Sequence, residues 1–339
     1  MNLRPALAFL AATTLACGSS TSGSSASSGS SSSTSTSSTT SASSTSTGST
    51  TASSSTSSGS STASGSGSGT TGSTSASSGS GSSGGTTSSC PLTVDTSPTS
   101  TVTNGCTLLS RDTSSCQAAR SAQGLSGAWL EFSCRVTLTK TTVNGKDVVT
   151  IATDSQPDYV SNYFATSSPC YAAFSPSFPD PNQISAQSLS INVPLAPDTT
   201  QTAMGLGPVG VAINGVAIFD NQAAPGDDIF QESGSFDQCQ GHPAPGGVYH
   251  YHSEPYAISS ADSELIGVLK DGYFVYGQLD ADGSTPTLDA AGGHTGTTPD
   301  SPSTPVYHHH LNLQISTNTG TAGERVEFIT TGTYAGTPG

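Results

Sequence analysis

Apolar and polar residues change places over short distances along this chain. Apart from residues 116–123, no stretch sustains a helical period with caps, so the pattern predicts a mainly β protein. Residues 129–139 (WLEFSCRVTLT) are largely apolar and β-branched and read as a strand. The turn Val143-Asn144-Gly145-Lys146 follows, its Asn-Gly pair suited to two consecutive positions of positive φ. Residues 148–151 then read as the returning strand.

Further along, the pattern repeats. Residues 209–219 (VGVAINGVAIF) match residues 266–276 (IGVLKDGYFVY), 57 positions on (266 − 209 = 57). Each copy is strand, Asn-Gly or Asp-Gly turn, strand, a hairpin signature. Residues 236–242 (FDQCQGH) then match 288–294 (LDAAGGH), and 248–252 (VYHYH) match 306–310 (VYHHH). Three matched blocks in one order predict two equivalent hairpin-loop-strand units, about 209–252 and 266–310, forming a pseudo-symmetric β-sheet domain.

Composition sets the organisation around this repeat. Residues 18–89 are Ser, Thr, Gly and Ala without exception, with no large apolar side chain to offset the entropy of ordering. They read as a disordered tether with an r.m.s. span of about 45 Å. Before them, Arg4 and the apolar run that follows read as a signal peptide, residues 1–16. The sequence Thr14-Leu15-Ala16-Cys17 resembles a bacterial lipobox and makes Cys17 a lipidation site. The expected organisation is a signal at 1–16, lipidated Cys17 and linker over 17–89, a Cys-containing β-rich region over 90–181, and the repeat domain over 182–339. The 90–181 region is either separate or part of that same domain.

The remaining cysteines, Cys90, Cys106, Cys116, Cys134, Cys170 and Cys239, are even in number and suit three disulfides of an exported chain, with 15 possible pairings. None has CxxC spacing, which argues against a thiolate metal site. A net charge of −15 with only eight basic residues excludes a phosphate-binding patch, and with it nucleic acid as a partner. The expected partner is a membrane, reached through the lipid on Cys17, with the chain displayed at an outer membrane or cell surface.

All seven histidines fall inside the matched blocks. In a strand, residues two apart share a face, so His250 pairs with His252 and His308 with His310. His242 and His294 each follow a glycine in what reads as a loop. One loop histidine and a strand His-x-His give three nitrogen ligands per half, a common catalytic metal arrangement. Imidazole ligation outside the cytosol points to copper or zinc. Asp237 and Asp289, five residues before the loop histidine, are candidates to orient an imidazole from behind; capping a turn is their other reading. His309 falls on the opposite face and reads as structural. Asp227, Asp228 and Glu232 read as a solvated acidic loop.

The Tyr249-His250-Tyr251-His252 run, the Gly241-His242 pair and residues 271–277 (DGYFVYG) resemble the YHYH-domain family of exported bacterial proteins and lipoproteins, over roughly residues 182–311. The second copy departs from the name motif, with His309 where the first has Tyr251. The resemblance implies membership and brings no activity with it. Three functional readings stay open: a transition-metal site, catalytic or not; a metal-free hydrolase with Asp237 or Asp289 orienting an imidazole; and a surface adhesion or glycan-binding module with a structural His/Tyr layer.

Overall fold

The Asn-Gly turn closes the first hairpin as its chemistry requires. Asn144 and Gly145 adopt φ of 51° and 77°, and Val143 pairs directly with Lys146. The hairpin joins β1 (Thr137–Val143) to β2 (Lys146–Thr153), and β3 (Leu189–Pro194) adds to the far side of β2. The computed structural model describes residues 105–107, 109, 111–258 and 262–339. The signal-like segment, Cys17, the Ser/Thr/Gly tract and Cys90 lie outside the described residues.

The strand expected over 129–139 starts only at Thr137. Residues Gly127–Leu130 form a 3-10 turn instead. Tertiary constraints override the local β preference here. Cys134 is tied to Cys116. The buried Arg120, on α1 (Gln117–Ala122), donates to the carbonyls of Phe132, Ser133 and Val136. Those carbonyls are thereby withdrawn from any ladder.

The remaining strands are β4 (Thr202–Ala203), β5 (Pro208–Ala212), β6 (Ala217–Phe219), β7 (Gly241–Ala244) and β8 (Val248–Tyr251) in the first half, with α2 (Ile229–Glu232) between β6 and β7. The second half supplies β9 (Leu265–Leu269), β10 (Phe274–Tyr276), β11 (Gly293–Thr298) and β12 (Ser301–His310). After them, β13 (Asn312–Ile315) pairs with β14 (Arg325–Phe328), and β15 (Thr333–Tyr334) pairs with β4.

Eight of these strands form one sheet, in the order β11-β12-β10-β9-β5-β6-β8-β7. Each half is a hairpin whose second strand runs parallel to the histidine strand, which in turn pairs with the Gly-His strand at the sheet edge. The halves meet where β5 and β9 run antiparallel, with Val211 opposite Val268. Those two valines are themselves equivalent at the repeat offset (268 − 211 = 57), so their pair marks a pseudo-twofold axis. The sheet is the pseudo-symmetric one expected from the repeat.

The axis explains two glycines. Gly210 lies opposite Leu269, and its symmetry mate Gly267 lies opposite Ala212. A Cβ on Gly210 would come within 2.6 Å of the Val268 carbonyl oxygen, and one on Gly267 would strike the Val211 carbonyl and sit 2.7 Å from Ala212 Cα. All five residues of β9 are buried and so are four of the five in β5, the continuous apolar run of strands covered on both faces. Gly267→Ala should therefore force the halves apart and cost about 1–3 kcal/mol, read as a fall in the urea midpoint at unchanged m-value. An unchanged midpoint would show that the contact yields freely.

One hydrophobic core runs through both halves and the Cys-containing region, from Phe132 and Tyr159 to Val211, Val268 and Tyr334. Disulfide Cys106–Cys239 ties that region to the loop that leads into β7, and Cys170 is disulfide-bonded as well. All described residues fall in one compact unit, residues 78–339, and β3, from beyond residue 182, completes the sheet begun by β1 and β2.

Candidate metal centres

The histidines meet because of strand register. His242 and His294 do not sit in loops; each occupies the second position of an edge strand. His242 lies opposite His250 on the neighbouring strand, and His294 opposite His308. Directly opposed side chains in an antiparallel pair are close neighbours on one face. Two residues further on, His252 and His310 complete each group. One ligand atom each from His242, His250 and His252 lie within 4.8 Å of one another, and so do those of His294, His308 and His310 together with Asp280. The two groups belong to strand pairs at opposite ends of the sheet. Five strand spacings of about 4.8 Å separate β8 from β12, roughly 24 Å, so six imidazoles cannot close on one ion.

Hydrogen bonds from behind fix how the rings of His242, His250, His252, His308 and His310 point. His250 Nδ1 lies 3.0 Å from the Val248 carbonyl, and its counterpart His308 Nδ1 lies 2.9 Å from the Val306 carbonyl. His252 Nδ1 bonds the Asp220 carbonyl, and His310 Nδ1 bonds the equivalent Gly277 carbonyl at 2.7 Å. A carbonyl only accepts, so each of these Nδ1 atoms carries the proton. His242 Nδ1 lies 2.8 Å from Ser235 Oγ. That hydroxyl already donates to the Glu232 carbonyl, so it accepts from His242, and Nδ1 is again the protonated nitrogen.

Every Nε2 of the first group therefore presents a lone pair. His250 Nε2 and His252 Nε2 face each other at 2.9 Å, and His242 Nε2 is buried with no hydrogen-bond partner. Two neutral lone pairs at that distance repel unless a proton or a metal ion lies between them. Burial favours the neutral form of His250 and His252. It pushes His250 well below the ordinary histidine value and His252 down to about 3, with neighbouring imidazoles adding to the effect. His308 is lowered likewise, and His310 to about 4. Phe219 stacks on His250 with centroids 3.9 Å apart, and Phe236 lies parallel to His252, so the rings are clamped as well as aimed.

The second group differs by one carboxylate. Asp280 Oδ1 lies 2.9 Å from His294 Nε2 and 3.6 Å from the Nε2 atoms of His308 and His310. Counting on from the equivalent Asp220 and Gly277, which keep the 57-residue offset, the first half has Ala223 (280 − 57 = 223), beside the three imidazoles. In place of a fourth close ligand, the first group has Glu232, whose Oε1 lies 3.5 Å from His242 Nε2 and whose Oε2 is buried without a partner. Asp180 Oδ2 stands 3.5 Å from His242 Nδ1. Sequence reasoning passed over Asp280 and took Glu232 for part of a solvated loop.

Asp237 and Asp289 bond none of the imidazoles; carbonyls and Ser235 hold five of the rings, and Asp280 meets His294. Asp237 instead accepts from the backbone of Cys239 (2.8 Å) and Gly241 (3.4 Å), from Ser161, and from the Tyr249 hydroxyl at 2.7 Å. Asp289 repeats this with Ala291, Gly293 and Tyr307. Both are turn caps, the other reading of these residues. The tyrosine crosses over the Gly-His glycine to reach its aspartate. A Cβ on Gly293 would lie 2.5 Å from Tyr307 Oη, and one on Gly241 would collide with Tyr249 Oη. The motif thus holds two interleaved units: Asp, Gly and Tyr build the turn behind the strand, and three His face forward.

On that rear face Tyr159 bonds both Tyr249 (2.7 Å) and Tyr251 (2.8 Å), and Asn214 donates to Tyr251. The second half substitutes both members of the last pair. His309 stands for Tyr251, and Asp271, 57 positions after Asn214, lies 3.4 Å from its Nε2. His309 Nδ1 bonds the Ala291 carbonyl, so this histidine faces away from the cluster.

Comparison with known proteins gives one family. Residues 190–304 match the family model described as "YHYH protein". The match takes in all three histidines of the first group and His294, and stops before His308. It is narrower than the resemblance read from the sequence. No curated protein and no solved structure matches the chain.

Proposed function

Since the chain belongs to the YHYH protein family through residues 190–304, which hold the whole first cluster, we propose that this cluster and its repeat His294/His308/His310 each bind one transition-metal ion, copper or zinc. One observation carries the reading. Three lone pairs of the first cluster converge with no donor among them, and two of these lie 2.9 Å apart. Zinc–imidazole bonds of about 2.0–2.1 Å in a tetrahedron set neighbouring nitrogens about 3.3 Å apart. The Nε2 pairs at 2.9 Å and 3.2 Å lie just inside that span. Carbonyl partners on Nδ1 are the usual support for a ligating imidazole.

The competing readings find less support. The two carboxylates that would orient the histidine of a metal-free hydrolase, Asp237 and Asp289, bond tyrosines instead. An adhesion module with a structural His/Tyr layer agrees with the burial of His242, His250, His252, Tyr249 and Tyr251, but it gives no reason for three converging lone pairs without a donor. With the metal reading goes the lipid on Cys17, holding the domain clear of a membrane on the Ser/Thr/Gly tether.

The test is metal content after equilibration with zinc and then with copper, without an affinity tag. About two equivalents per chain are expected. Less than roughly a tenth of an equivalent of either metal would end the reading, because a preformed buried cluster of this kind takes up its ion without further folding.

A further inference from the structure

The two clusters share their histidines and differ in what completes the set, and this difference assigns them different work. We propose that the first centre, His242/His250/His252, is a ligand-exchanging site for a small uncharged molecule, while the second, His294/His308/His310 with Asp280, is saturated by its own carboxylate. The inference rests on the metal-binding reading and adds the division of labour and the ligand class.

Three features support it. In the second cluster Asp280 Oδ1 stands within 3.6 Å of all three Nε2 atoms, so three nitrogens and one oxygen fill a tetrahedron from the chain itself. That is the composition of a closed structural site. In the first cluster Ala223 replaces the carboxylate, and the three imidazoles instead line a cavity of about 200 Å³. At roughly 30 Å³ per water, this accommodates a molecule of about half a dozen heavy atoms.

The cavity also states what it would accept. Leu206, Phe219, Ala223, Pro225 and Pro245 give it apolar walls, and Glu232 and Asp180 stand on its lining. Those two carboxylates disfavour an anion. Glu232 Oε2 is buried with no partner, an acceptor suited to an N–H or O–H of the occupant. The fitting ligand is therefore small and uncharged, with one lone pair for the metal and one N–H or O–H for Glu232. Imidazole has both features, and 1-methylimidazole keeps the lone pair but loses the N–H.

The experiment uses the full chain loaded with cobalt(II), whose visible absorption reports ligand exchange, titrated with imidazole. About half of the cobalt signal should respond. His250→Ala with His252→Ala should remove the responding half, and Asp280→Ala should extend the response to nearly all of the cobalt. Imidazole should bind roughly tenfold more tightly than 1-methylimidazole, the worth of a hydrogen bond to a charged group, and Glu232→Ala should erase that preference. A response from all of the wild-type cobalt, or from none, overturns the inequality of the sites. A preference that is absent, or that survives Glu232→Ala, overturns the role of Glu232. Failure to take up cobalt at all is a separate result and sinks the metal reading itself.

Discussion

Changing His250 and His252 together to alanine is expected to halve the metal content of the chain, from two ions to one. These residues supply two of three ligands in the first cluster, and the lone His242 that remains has no second imidazole within reach. The second cluster lies about five strands away and keeps its ion. The loss should also appear in stability. An ion held at 100 times its Kd stabilises the folded state by about 2.7 kcal/mol, so excess zinc should raise the unfolding midpoint of the wild type by two such increments and of the double variant by one. His309→Ala is the matching control. This histidine is as buried as the ligands but faces the opposite side of β12, so its loss should weaken packing and leave two ions bound. Two ions in the double variant, or one in His309→Ala, would contradict the assignment of faces.

The second large effect concerns the aspartates that sequence spacing placed behind the histidines. Asp237→Ala should destabilise the chain by about 3–5 kcal/mol, because a buried hydrogen-bonded carboxylate leaves its partners unsatisfied when it goes. Those partners are two backbone N–H groups, the Ser161 hydroxyl and the Tyr249 hydroxyl. Tyr249 is tied through Tyr159 to Tyr251 and Asn214, and Asn214 donates to Asp158, the partner of Arg111. A chain of buried polar groups thus loses its anchor. Asp289 makes the same bonds at the surface, where water replaces a lost acceptor, and Asp289→Ala should cost about 1 kcal/mol. Urea unfolding with disulfides intact measures both. Equal costs would show that burial is not what distinguishes the two copies.

The parts of this protein that follow a short period were legible in its sequence. Asn144-Gly145 forms the turn its φ preferences demand, α1 falls inside the one helical stretch, and the 57-residue repeat predicts the pseudo-twofold sheet. His250 and His252 share a face because alternation in a strand is a local property. Asp280 escaped notice because it joins its histidines only when the chain after β10 folds back beside β12, and nothing local marks that. The Ala223-for-Asp280 exchange is visible at the repeat offset, yet it carries meaning only once Asp280 is known to stand by the Nε2 atoms. Asp237 and Asp289 were misplaced for a related reason. A spacing of five residues from a histidine shows proximity along the chain, while the choice between carboxylate and carbonyl as the imidazole's acceptor is made by packing. The 129–136 stretch failed as a strand because a disulfide and Arg120 claim its backbone.

X-ray absorption at the zinc edge of the reconstituted chain reads the coordination shell without reference to any variant. The expected shell has nitrogen or oxygen neighbours at about 2.0–2.1 Å, outer-shell scattering from about three imidazoles per ion, and no sulfur. A shell of oxygen alone, lacking the imidazole pattern, would place the metal on surface carboxylates and contradict the convergence of His242, His250 and His252 on one ion.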